Sequence, residues 1–137
     1  MSRFSPNDGG RAELSYTLEW LHNRGLAKVR HFGDVTTAEI QDSLNDVEQE
    51  KGAAERPCLL VDVRDTTSYP KLADLLLLAE QNCRRPRVSE KTAFVFNQQT
   101  AEVIEFVVLA ASNRGFLVEG FMEESTAVGW LVESQTS

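Results

Sequence analysis

No stretch of this 137-residue chain approaches the roughly 20 consecutive apolar residues that a bilayer-crossing helix needs, so no transmembrane segment is expected. The first ten residues, with polar Ser5, Asn7 and Asp8 and the pair Gly9-Gly10, lack the apolar core of a secretory signal. They read as a loose tail over 1–12, ahead of one domain over 13–134, and the expected compartment is the cytoplasm. Cysteine is scarce. Cys58 and Cys83 stand alone, outside any CxxC spacing, which excludes a disulfide framework and predicts two reduced, partly buried thiols. Histidine is equally sparse: His22 and His31 come with no third or fourth ligand at a metal-site spacing, so both read as solvated. G-x-G-x-x-G, the P-loop, the G-x-S-x-G elbow and H-E-x-x-H are all missing, which removes the common nucleotide, nucleophile and zinc signatures. No cofactor or metal is expected.

Positive charge is also in short supply. With 14 basic residues against 21 acidic ones the net charge is −7, and that field repels a phosphate backbone. The one basic run, Arg84-Arg85-Pro86-Arg87, reads as a helix C-terminus closed by proline, where cations suit the helix dipole. Nucleic acid is therefore not an expected partner.

What the chain does have is an ordinary globular composition, 42% hydrophobic and 26% charged, at the usual size of one domain. Leu14 to Leu21 and Leu26 to Phe32 are strand-like runs on either side of Asn23-Arg24-Gly25 and predict a β-hairpin. Thr36 and Glu39 form a capping box, with Val35 and Ile40 as its hydrophobic staple, and open a helix to about Lys51 ended by Gly52. That helix should turn Ile40, Leu44 and Val47 inward and Asp42, Asn45, Asp46 and Gln49 outward. From Cys58 onward strands and helices alternate. Cys58–Val63 is a strand apolar on both faces, and Tyr69-Pro70 opens a helix carrying Leu72, Leu75, Leu76 and Ala79. Lys91–Phe96 is the next strand. Thr100 to Asn113 is a helix with Val103, Phe106, Val107 and Ala110 inward, stopped by Gly115. Phe116–Phe121 is the last strand, and Glu123 to Val132 the closing helix, with Ala127, Trp130 and Leu131 inward. The predicted fold is a single α/β domain: one mixed, mostly parallel sheet of about five strands with about four helices.

Three stretches carry a resemblance to a known family: Gly33-Asp34-Val35-Thr36-Thr37-Ala38-Glu39-Ile40, Leu59-Leu60-Val61-Asp62-Val63-Arg64-Asp65, and Glu123-Glu124-Ser125-Thr126-Ala127-Val128-Gly129-Trp130-Leu131. Together, over about residues 14–133, they resemble the STAS superfamily (sulfate transporter and anti-sigma-factor antagonist), in particular its stand-alone bacterial, SpoIIAA-like members. The resemblance implies a non-enzymatic regulatory module that works through a protein partner. Classical members carry Asp-Ser-Ser-Gly after the central strand, with a phosphorylated serine. Here the stretch reads Asp65-Thr66-Thr67-Ser68-Tyr69, which keeps hydroxyls but not the motif, so no acceptor carries over. A related group is classed with lipid-binding CRAL-TRIO-like domains, which leaves a carrier of a small apolar or anionic ligand as the alternative and an enzyme as the third reading.

In a parallel sheet, ligands lie beyond the carboxyl ends of the strands. The loops expected there bring together Arg64, Asp65, Thr66, Thr67, Ser68, Tyr69, Asn97, Gln98, Gln99 and Thr100 as candidate ligand- or partner-binding residues. The same residue types also serve as helix caps and turn formers. Asp62 and Arg64 share a strand face and read as an ion pair, not as an acid–base couple. Surplus apolar residues in Leu75–Leu78 and Val103–Ala111 make those two helices a candidate homodimer face.

Overall fold

The computed structural model describes residues 2–3, 16–21, 25–51, 56–83 and 90–133. Six strands form one sheet in unbroken sequence order: β1 (Ser2–Arg3), β2 (Tyr16–Leu21), β3 (Leu26–Asp34), β4 (Cys58–Ser68), β5 (Thr92–Val95) and β6 (Val118–Phe121). β1 and β2 run antiparallel to their successors, while β3 to β6 are parallel to one another. The four helices are α1 (Thr37–Lys51), α2 (Leu72–Cys83), α3 (Ala101–Asn113) and α4 (Glu124–Glu133). This is the mixed α/β sheet expected, with β1 as an additional strand. Ser2 and Arg3 fall within the tail expected over 1–12, yet they pair with Glu19 and Leu18. The rest of that tail, His22, Gly52 and the Arg84–Arg87 run lie outside the described residues.

Side-chain alternation along β4 sorts the core into two layers. Leu59, Val61 and Val63 point to the side covered by α1 and α3, where they meet Tyr16, Leu18, Trp20, Ala27, Val29, Val47, Phe96 and Ile104. Cys58 and Leu60 point to the other side, joining Leu26, Ala93 and Val95 beneath Ala127 and Leu131 of α4. Both faces of β4 are thus buried, as its continuous apolar run demanded. Packing also holds α4 at its far end: the buried Lys91 ammonium donates to the Trp130 carbonyl at 3.0 Å and lies 3.6 Å from the Trp130 ring centroid.

The capping box forms as read. The backbone N–H of Glu39 donates to Thr36 Oγ1 at 3.2 Å, and that of Thr36 donates to Glu39 Oε1 at 3.1 Å. At the other kind of boundary, Gly115 has φ +89°, its N–H donates to the Ser112 carbonyl and that of Phe116 to the Ala111 carbonyl. These are the two bonds of a Schellman stop after α3.

Three local expectations are corrected. The residues 64–68 are not a loop: β3 continues to Asp34 and supplies backbone partners, Gly33 opposite Thr66 and Asp34 opposite Ser68, so β4 persists to Ser68 through two irregularities of register. Ile104 and Ala110 are the buried residues of α3, whereas Val103, Phe106 and Val107 are half-buried, because α3 also packs against α2. On α1, Asp46 does not face solvent alone; it accepts a 2.7 Å hydrogen bond from the Tyr16 hydroxyl, and Glu50 accepts one of 2.7 Å from the Trp20 indole.

Histidine supplies the largest correction. His31 is 1% exposed, under α1, and its Nδ1 has no hydrogen-bond partner. Burial lowers its pKa to about 4, against a smaller opposing influence from the Glu39 carboxylate. β-strand alternation explains the placement: Ala27, Val29 and His31 share the inward face.

Candidate functional site

Asn97, directly after β5, organises the carboxyl edge of the sheet. Its side-chain amide donates to the Arg64 carbonyl of β4 at 2.6 Å. Its Oδ1 accepts from the backbone N–H of Gln99 (2.9 Å) and Thr100 (3.1 Å), groups that the start of α3 would otherwise leave bare. Thr100 closes the turn by accepting the Asn97 N–H at 3.1 Å. One carboxamide therefore ties β4 at Arg64, the end of β5 and the start of α3 into a single ledge. A short polar side chain at the strand-to-helix junction was the legible sign of this turn; the bond to β4 was not.

Besides Asn97, the other nine candidate residues separate into three groups. Thr66, Tyr69 and Thr100 are structural. The Thr66 hydroxyl is buried and donates to the Val63 carbonyl at 2.9 Å; Tyr69 packs on the core, and burial raises the pKa of its phenol. Thr67, Ser68, Gln98 and Gln99 are exposed along the ledge. Arg64 and Asp65 send their side chains elsewhere, into a line of charge on the α4 side of the sheet.

That line was only half visible in the sequence. Arg64 grips Asp62 with two bonds, Nε to Oδ1 at 3.0 Å and Nη2 to Oδ2 at 2.8 Å, and reaches Glu124 at the start of α4 at 3.2 Å. Lys28 on β3 meets the same Glu124 at 3.0 Å. Arg30, with its guanidinium 6.0 Å from the Phe32 ring centroid, pairs with Asp65. Burial pushes the Asp62 pKa up, but the Arg64 guanidinium and backbone N–H together with Lys28 outweigh it, and the carboxyl titrates below its ordinary value. Lys28, Arg30 and Glu124 were missed because their sequence separations from Arg64 are settled by the pairing of β3 with β4 and the return of α4. Lys28 and Arg30, alternating with apolar Ala27 and Val29, were the available hint. The expected Asp62–Arg64 ion pair is present.

Chemically, the ledge presents hydroxyls and carboxamides, which recognise a surface through hydrogen bonds. Each arginine and lysine in the charged line already faces a carboxylate. Among the described residues no three His, Cys, Asp or Glu side chains come together as a metal site, and no helix is long and apolar enough to cross a membrane.

No protein-family model matches the chain, and no curated protein sequence does either. Among solved structures, it is similar to an uncharacterized protein of the DUF3478 family with a SpoIIAA-like fold from Shewanella loihica PV-4. The TM-score is 0.57 at 15% identity, over 85% of this chain and 91% of that one. At this identity the likeness is one of fold: the chain has a SpoIIAA-like α/β architecture.

Proposed function

We propose that this chain is a non-enzymatic, STAS-like binding module of the cytoplasm that engages a protein partner through the ledge at the carboxyl ends of β4 and β5. The observation that carries this reading is the Asn97 tie. It braces β4 at Arg64 against the turn that carries the exposed Gln98 and Gln99, while Thr67 and Ser68 are exposed further along β4 where β3 holds its backbone, so partner binding need not reorder either segment. The SpoIIAA-like fold is consistent with such a role. The alternatives of a carrier and an enzyme have no comparable support. A nucleophilic hydroxyl needs a base beside it, and the Thr66 hydroxyl is committed to a backbone carbonyl.

The test is quantitative affinity capture with the full chain and two variants, Ser68→Glu combined with Gln98→Ala on the ledge, and Glu48→Ala on α1 as a control. Loss of a captured protein with the ledge variant alone, at unchanged thermal stability, is the expected result. Equal capture by all three chains removes the ledge as the binding surface.

A further inference from the structure

The outer edge of β6 closes the sheet on the side away from the hairpin, and no strand covers it among the described residues. Its backbone alternates. The N–H of Thr92 donates to the Leu117 carbonyl and that of Phe96 to the Phe121 carbonyl, so the odd-numbered residues face β5. The N–H and carbonyl of Val118 and Gly120 consequently face outward. Proteins commonly blunt such an edge with a lysine, a proline or a bulge. β6 reads Val-Glu-Gly-Phe; it is only four residues long and carries Glu119, but it has no lysine, proline or bulge and pairs with β5 in unbroken register. Leu117 and Met122, each 54% exposed, flank it.

We propose that β6 pairs with β6 of a second copy of this chain, antiparallel about a twofold axis at Gly120, making one continuous sheet across a homodimer. The register follows from hydrogen-bond parity and charge. Outward-facing residues must lie opposite one another, and among the registers that satisfy this only a twofold axis at Gly120 or at Glu119 overlaps most of the four-residue strand. An axis at Glu119 sets two carboxylates directly opposite each other, which is unfavourable. An axis at Gly120 sets glycine against glycine, Glu119 against the apolar Phe121, and Val118 against the exposed Met122. β1 offers only two residues, too short a strand to compete for the same edge. A Cβ at Gly120 would lie 3.0 Å from Phe96 Cε2, so any larger residue there presses on the Phe96 ring and the core favours the smooth edge. The pairing does not depend on the ledge or its partner.

The experiment is sedimentation of the full chain over a wide concentration range, alongside Val118→Pro and Met122→Lys. Proline at 118 removes an outward N–H that the fold itself does not use, and Met122 is exposed, so both variants should keep the parent circular-dichroism spectrum. A dimer whose dissociation constant rises at least roughly tenfold in either variant is expected. Mixed copies carrying Glu119→Cys and Phe121→Cys should oxidise to a disulfide-linked pair, and Glu119→Cys alone should not. If Val118→Pro unfolds the chain, Met122→Lys and the cysteine pairs decide. A monomer throughout overturns the proposal. So does a dimer untouched by these variants but dispersed by Leu77→Glu or Leu109→Glu, which assigns the interface to α2 and α3, and so does open-ended growth with concentration, which assigns β6 to a different edge.

Discussion

The Tyr16 ring leans over the His31 imidazole, centroids 5.8 Å apart and planes at 50°, while its hydroxyl reaches out to Asp46 on α1. A buried imidazole without a hydrogen-bond partner for Nδ1 makes this a pH-sensitive point of the core. In the unfolded chain an imidazole titrates near 6.5; in the fold it stays neutral down to about 4. Between those values the unfolded state binds more protons. The stabilisation is therefore complete above about pH 6.5 and is lost as the pH falls toward 4, by roughly 3 kcal/mol in all. His31→Phe removes this share of the slope, measured as urea midpoints of parent and variant from about pH 7 down to about pH 4.5. Parallel curves for the two proteins would show that His31 does not titrate as stated.

Asp62 is 2% exposed and depends on Arg64 for its charge. Arg64→Met leaves a buried carboxylate with no guanidinium and should cost about 2 kcal/mol, below the usual range for breaking a buried pair because the Arg64 side chain is 36% exposed. Since the Asp62 pKa is depressed in the fold, its contribution is present above the ordinary carboxylate pKa and vanishes as the pH drops through the folded value. The double variant Asp62→Asn, Arg64→Met should recover part of the loss. Strict additivity of the two single changes in a denaturation cycle would rule out the coupling.

Asn97→Ala removes the donor to Arg64 and the acceptor for Gln99 and Thr100. A loss of about 2 kcal/mol is expected, with faster amide exchange at Gln99 and Thr100 than in the parent. Asn97→Asp keeps the acceptor but not the donor. Its two amides should stay protected while the tie to β4 is lost, and equal exchange in both variants would contradict this division of labour.

Thr36→Ala takes away half of the capping box at α1 and should lower stability by about 1 kcal/mol, read from thermal unfolding. An unchanged midpoint would mean that α1 is held by Val47, Tyr16 and Trp20 alone.

Local chemistry made much of this fold legible. Thr36 and Glu39 announce α1 because a capping box is satisfied within four residues, and Gly115 ends α3 because few other residues tolerate φ near +89°. The apolar run from Cys58 to Val63 marks a strand covered on both faces, as found. What stayed hidden depends on partners distant in sequence. His31 resembles any polar residue in a half-exposed strand until α1 covers it. Residues 64–68 resemble a loop until β3 extends alongside. Of the site, the residues of the ledge could be named, but the sheet alone determines that Arg64 turns away from them toward Glu124, 60 residues on.

Strand order has one further consequence. Crevices in parallel sheets open where successive crossovers diverge to opposite faces, at a reversal of strand order. From β3 to β6 this sheet has no reversal. Among the described residues the strand order therefore supplies no crevice of that kind, and a partner of the proposed sort would lie across the row of strand ends and not between diverging helices.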